Sequence, residues 1–207
     1  MDLYFSPMAC SMATRIAAYE AGADINFLKV DTKARPKRVE DGAVFLDINP
    51  LGQVPVLRTD DGELIVENAV ILPYLADQFP AAGLIPADGA DRRKVLSWLS
   101  FIGSQLHSGA FTVLLRPTAQ DGAKAFARER LAESFAYLDA HLGGREFLQG
   151  KFSVADAYLF VMLTWARHVA LDLSPYAALT AYRDRLQGRP SVARALGEEF
   201  TLFKAAA

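Results

Sequence analysis

The chain has 207 residues, 52% of them apolar and 22% charged, with a net charge of −2. That length suits one large domain or two small ones with a real core, and the near-neutral balance gives no global attraction to nucleic acid. The longest apolar run, residues 157–163, is too short for the roughly 20 residues of a membrane span.

Residues 2–5 read as a short buried strand, broken by Ser6 and Pro7. Residues 11–22 read as a helix, with Ser11 as its cap and Gly22 as its close. Residues 25–30 alternate like a strand, and the polar, basic stretch 32–42 reads as loop. Residues 54–67 form two short strands around Asp61-Gly62, a hairpin signal. Residues 68–79 have helical spacing, with Asn68 as cap and Pro73 inside, read as a kink on the solvent side.

Two prolines and two glycines in 80–91 mark a linker, and everything after it reads helical. Residues 91–115 form one long candidate helix. In 124–142, Leu131, Phe135, Leu138 and Leu142 recur at helical spacing. Residues 153–170 open on a Ser153/Asp156 capping box and are apolar nearly all round, which predicts a central buried helix. Residues 175–188 and 190–196 each open with proline, as closing helices do. The expected organisation is α/β then all-α: residues 1–80, a linker at 81–88, and a helical domain over 89–207.

Cys10 is the only cysteine, so neither an internal disulfide nor a C-x-x-C mechanism is available. With no basic-then-apolar leader at the N-terminus, a reducing cytoplasm is the expected compartment. Cys10 immediately precedes a helix, whose orphan N–H groups and positive dipole end lower a thiol pKa. The ordinary alternative is a buried, inert thiol. Val54-Pro55 at a strand start suits a cis bond that leaves the Val54 backbone free to pair with an extended ligand; a plain strand-initiating proline is the alternative. Glu67-Asn68 sits where a strand feeds a helix: the N–H groups there attract a carboxylate and Glu67 can accept an ammonium group, which together suit an amino-acid end. A simple helix cap is the alternative.

Taken together, these three stretches describe a thioredoxin-like site for glutathione. The chain resembles the cytosolic glutathione transferases, most closely the bacterial beta class. The resemblance is carried by SPMACS (6–11), NPLGQVPVL (49–57), YLADQ (74–78), FSVADAYLF (152–160) and WARHVALDL (165–173), and runs from residue 3 to about 196.

The resemblance implies an N-terminal thioredoxin-like domain followed by a C-terminal helical bundle, and glutathione as co-substrate without a metal. It places Cys10 against the glutathione sulfur, able to hold it as a mixed disulfide. It implies that the Val54 backbone, Glu67 and Asn68 bind the tripeptide, the last two at its γ-glutamyl end. Counting back from Glu40-Asp41-Gly42 points to Lys37 at the glycyl side, with Lys33 and Arg38 as rivals. From the helical domain, His107 is implied to donate to the sulfur or shuttle a proton, with Ser100 and Ser104 on the same helical stripe. Trp165 matches a residue of the electrophile pocket, or is a core tryptophan. Ser100 stands where the class usually has Asn, Ser108 where it commonly has Lys, and Met8 where glycine is frequent.

The expected function is conjugation of glutathione to small hydrophobic electrophiles by a cytoplasmic homodimer, with thiol–disulfide exchange through Cys10 as a second activity. The competing readings are a binding or regulatory protein with little turnover, and a specialised glutathione-dependent dehalogenase or isomerase.

Overall fold

Strand β1 (Asp2–Phe5) buries Leu3, Tyr4 and Phe5, as a strand covered on both faces does. It is the middle of a five-stranded mixed sheet in a computed structural model that describes Met1–Ala205. The strand order is β3-β2-β1-β4-β5, with β2 at Asn26–Asp31, β3 at Arg38–Val39, β4 at Val56–Arg58 and β5 at Leu64–Val66. β1 runs parallel to β2 with Leu3 opposite Phe27, and antiparallel to β4 with Leu3 opposite Leu57. On one face Tyr4, Val30, Val39, Phe45 and Val56 form a compact apolar cluster.

Helix α1 (Met12–Ala21) follows β1, and every residue from Met12 to Ala18 is buried. Gly22, at φ 64°, closes it by donating to the carbonyls of Ala18 and Tyr19, the left-handed ending glycine permits. Helix α2 (Asn68–Gln78) packs against α1. Pro73 is buried inside α2 rather than on a solvent side. Lying past the first turn, it leaves the Ala69 carbonyl without its helical N–H partner. The stretch 32–42 is not all loop, because β3 pairs with β2 through Val30 and Val39.

The helix expected over 190–196 is much longer, running over Pro190–Ala205 as α8. It packs on α1 and belongs to the same compact unit as Met1–Leu84, whereas Ile85–Arg189 form the other unit. This differs from the expected division, in which residues 89–207 form one helical domain. The physical reason is the face of α8 formed by Ser191, Val192, Ala195 and Glu199, which is buried.

The second unit opens with α3 (Gly89–Phe101), which continues without a break into a π-helical stretch, Ile102–Phe111, and a last α turn, α4 (Thr112–Leu114). Helix α5 (Asp121–Leu142) buries Leu131, Phe135, Leu138 and Leu142 along one stripe. In α6 (Val154–Trp165) every residue except Thr164 is buried, as its all-round apolar sequence predicts. Its capping box is formed: the Ser153 N–H donates to Asp156 Oδ2 at 2.9 Å and the Ser153 hydroxyl to the same oxygen at 2.7 Å. The other Asp156 oxygen accepts from the Leu148 N–H and the Tyr182 hydroxyl. Helix α7 (Ala177–Gln187) completes the unit. Among the described residues, no helix is long and apolar enough to cross a membrane.

Candidate active site

The loop after β1 turns on Met8, a non-glycine residue at φ 62°, where glycine alone sits without steric cost. Cys10 follows, 6% exposed, and its Sγ donates to the Val54 carbonyl at 3.3 Å. Burial, and secondarily the Glu67 carboxylate, push the Cys10 thiol up to about 12, against the pull of the Cys10 and Ser11 N–H groups. The thiol is therefore neutral at physiological pH. The lowering expected from the helix terminus is present but outweighed by desolvation. Ser11 does not cap α1 with its side chain; its hydroxyl donates to the Ser6 carbonyl at 3.3 Å.

The Val54–Pro55 bond is cis, as its sequence setting predicts. The preceding loop is framed by Asn49, a buried residue the sequence does not single out. Its amide donates to the Gln53 carbonyl at 2.8 Å and accepts from the Leu51 N–H at 3.2 Å. Lys37 reaches this loop, its ammonium donating to the Gly52 carbonyl at 2.6 Å. Of its rivals, Lys33 is exposed and Arg38 donates to the Gly42 carbonyl.

Glu67, not Asn68, is the cap residue of α2, and it sits exposed at φ 71°. Its carbonyl accepts from the N–H groups of Val70 and Ile71, leaving those of Asn68 and Ala69 outside the helical ladder. The Asn68 side chain is buried and already engaged. Its Nδ2 donates to the Cys10 carbonyl at 3.1 Å, and its Oδ1 accepts from the Thr14 hydroxyl at 3.3 Å. One donor of the Asn68 amide is thus used inside the protein, while its backbone N–H lies outside the helical ladder.

The structure adds a buried ionic cluster behind the Cys10 loop. Glu199 of α8 is 0% exposed. One of its oxygens accepts from the Met8 N–H at 2.7 Å and the other from Arg15 Nε at 3.0 Å. The Arg15 guanidinium also donates to Tyr19 and Glu198 and lies over the rings of Phe5 and Phe27, 4.3 and 3.9 Å from their centroids. The bonds to Glu198 and Glu199 span more than 180 residues of chain, so no local pattern announces them.

In the second unit, His107 sits on the π-helical stretch. Its Nδ1 is 2.7 Å from the Tyr158 hydroxyl, and its ring meets Trp165 edge-on with centroids 5.2 Å apart. Burial lowers its pKa to about 4, so the imidazole is neutral and offers one N–H rather than a charge. Trp165 is buried, its edge also against Phe111. Ser100 and Ser104 are exposed, and the Ser104 hydroxyl accepts from Gln105. Tyr158, which holds His107, is a further residue the sequence does not single out. Among the described residues, no group of three or more His, Cys, Asp or Glu could hold a metal ion.

Residues 7–78 match the family model described as the N-terminal domain of glutathione S-transferase, and residues 121–194 the one described as its C-terminal domain. The glutathione S-transferase GstA of Escherichia coli O157:H7 is 38% identical over 96% of this chain and 98% of its own length. A sphingomonad glutathione S-transferase solved with glutathione is 48% identical, covers 96% of this chain and 98% of that one, and superposes with a TM-score of 0.91. A bacterial beta-class enzyme from Sphingomonas chungbukensis, at 46% identity and the same coverage, gives a TM-score of 0.90. The chain belongs to the glutathione S-transferase family, and within it resembles the bacterial beta class.

Proposed function

We propose that this glutathione transferase binds glutathione along the Val54 edge, with the thiol of Cys10 facing the tripeptide's sulfur, and delivers that sulfur to small hydrophobic electrophiles. The observation that carries the reading is the position of Cys10, whose Sγ lies 3.3 Å from the carbonyl that precedes a cis proline. A ligand strand pairing with Val54 competes for that same carbonyl. The exposed Glu67 carboxylate accepts the γ-glutamyl ammonium, and the Asn68 and Ala69 N–H groups at the positive end of α2 take its carboxylate. Lys37 is assigned to the glycyl end.

A neutral Cys10 acts first as an S–H donor to the glutathione sulfur, stabilising its thiolate for attack on carbon. The neutral His107 ring adds an N–H donor of the same kind. Trp165 is assigned to the electrophile pocket. Ser100 and Ser104 are assigned to the polar stripe beside His107. The working form is taken to be a cytoplasmic homodimer.

A second reading, reduction of glutathione mixed disulfides, is favoured by the same thiol. Cys10, neutral at rest, first gives up its proton to solvent, and the thiolate so formed attacks the glutathione sulfur and releases the other thiolate. A second glutathione thiolate then attacks Cys10-S-SG, giving glutathione disulfide and restoring Cys10.

Calorimetry with glutathione, followed by turnover on a panel of electrophiles and mixed disulfides, tests both readings. For Cys10→Ala the expected result is a Kd raised by no more than about tenfold, the worth of one hydrogen bond, and loss of disulfide exchange. Tight binding with no turnover on any substrate would overturn the enzyme reading, and full disulfide exchange by Cys10→Ala would remove Cys10 as the redox group.

A further inference from the structure

We propose that Glu199 is a positioning residue for Cys10: its carboxylate ties the thiol loop to α8, and its charge state sets how readily the thiol is reached. A side chain of α8 tethers the loop between β1 and α1 through the 2.7 Å hydrogen bond from the Met8 N–H to Glu199. Met8 is also the residue held at φ 62°, a conformation that persists in a non-glycine residue only where surrounding contacts impose it. Two residues on is Cys10, 6% exposed, so the tether and the shielding of the thiol belong to one short stretch.

The groups facing Glu199 set its charge. Arg15 on α1 favours the carboxylate, and Glu198, its neighbour on α8, opposes it. Tyr19 and Arg194 act one step further out, through their bonds to Glu198. Phe5 and Phe27 of the sheet are apolar and stack on Arg15. The Cys10 thiol is neutral and adds no charge. Burial pushes the Glu199 carboxyl up to about 7, while Arg15 and the Met8 N–H pull it down. Near neutral pH the carboxyl is thus partly protonated. A protonated carboxyl is the weaker acceptor, so it loosens its hold on Met8.

The inference rests on Cys10 being the working thiol of the proposed function, and its test needs no glutathione. Because Cys10 is the only cysteine, iodoacetamide reports on it alone. The thiolate sulfur forms a bond to the methylene carbon, iodide leaves with the C–I electrons, and the thiol proton passes to solvent. With a fixed loop the rate falls about tenfold per pH unit below the thiol pKa, following the thiolate fraction, and is flattened only by the small direct effect of the Glu199 charge, which itself raises the thiol pKa.

The expected result is that steep fall above about pH 8 and a shallower one below 7, so that near pH 6 the rate exceeds the extrapolated line by about tenfold, the worth of one charge-assisted hydrogen bond. Glu199→Gln, with no charge to lose, should show the steep fall throughout. A steep, straight dependence in the unaltered protein, or a shallow limb that survives in Glu199→Gln, overturns the proposal. Whether or not the variant folds, hydrogen exchange of the Met8 amide in the unaltered protein separates a released loop from the direct charge effect of Glu199 on the thiol. Its protection, corrected for intrinsic rate, should drop below about pH 7; constant protection overturns the proposal. Glutathione affinity, measured separately by calorimetry, tests the functional reading on its own.

Discussion

The Asn68 side chain of α2 donates to the backbone carbonyl of Cys10 at 3.1 Å while accepting from Thr14, so one amide joins the starts of α1 and α2. Asn68→Ala leaves the Cys10 carbonyl and the Thr14 hydroxyl without that partner in the interior. The Cys10 carbonyl keeps its bond from the Ala13 N–H, so the expected loss is about 1–2 kcal/mol, that of two hydrogen bonds with the Thr14 hydroxyl left unpaired. Denaturant unfolding measures it, and an unchanged midpoint would show that water replaces the amide at no cost.

Glu67 is exposed at φ 71°, so its backbone and its carboxylate can be tested apart. Glu67→Gln keeps the shape and removes the charge. Glu67→Gly keeps the backbone conformation, which glycine adopts freely, and removes the whole side chain. Both should weaken glutathione binding by about 10- to 100-fold, as the loss of a hydrogen bond to a charged group does. Calorimetry showing unaltered affinity in either variant would refute the γ-glutamyl contact.

His107 and Glu199 should drive stability in opposite directions with pH. The folded pKa of His107, about 4, lies below its ordinary 6.5. The unfolded chain therefore binds the extra proton between those values, and stability is lost as pH falls from 6.5 towards 4. The folded pKa of Glu199, about 7, lies above its ordinary 4.5. Its contribution is full below 4.5 and is lost as pH rises towards 7. Urea unfolding across this window should show a more acid-tolerant His107→Gln and an Glu199→Gln whose stability no longer declines towards neutrality. Parallel curves for all three proteins would contradict both assignments.

Gly109 lies in the π-helical stretch, where an added Cβ would come 2.4 Å from the Ser104 carbonyl oxygen. That approach is too close for any side chain. Gly109→Ala should therefore cost about 1–3 kcal/mol, as overpacking does, and should disturb His107 two residues away. Thermal unfolding gives the first quantity, and the His107 ring resonances report the second. A variant as stable as the parent, with unshifted His107 signals, would mean that the π turn rearranges freely.

Much of this was legible before any coordinates. The hairpin around Asp61-Gly62, the Gly22 stop, the capping box at Ser153 and the buried α6 all follow from local spacing, because each depends on neighbours within a few residues. Cys10, Val54, Glu67 and Lys37 were legible only as a set, through the family resemblance. Other features were not legible, beyond Asn49 and Tyr158. The two-residue β3 is too short to alternate. The π turn leaves no apolar period of its own, and Gly109 is its one trace. Glu199 lies 184 residues from Arg15, and a charged residue on an amphipathic helix reads as surface until its partner is known. The state of the Cys10 thiol was left open for a related reason: the helix terminus is visible in sequence, but the depth of burial that outweighs it is not.

The return of α8 onto α1 gives the molecule an order in time. A chain is made from its N-terminus, and units complete themselves as their parts emerge. The sheet, α1 and the thiol loop leave the ribosome long before the carboxylate that grips Met8, which sits at residue 199. The first unit therefore cannot be finished until α8 has been made. A nascent chain stalled before α8 would carry Cys10 with its tether missing, which makes the lone thiol a natural reporter of whether that helix has arrived.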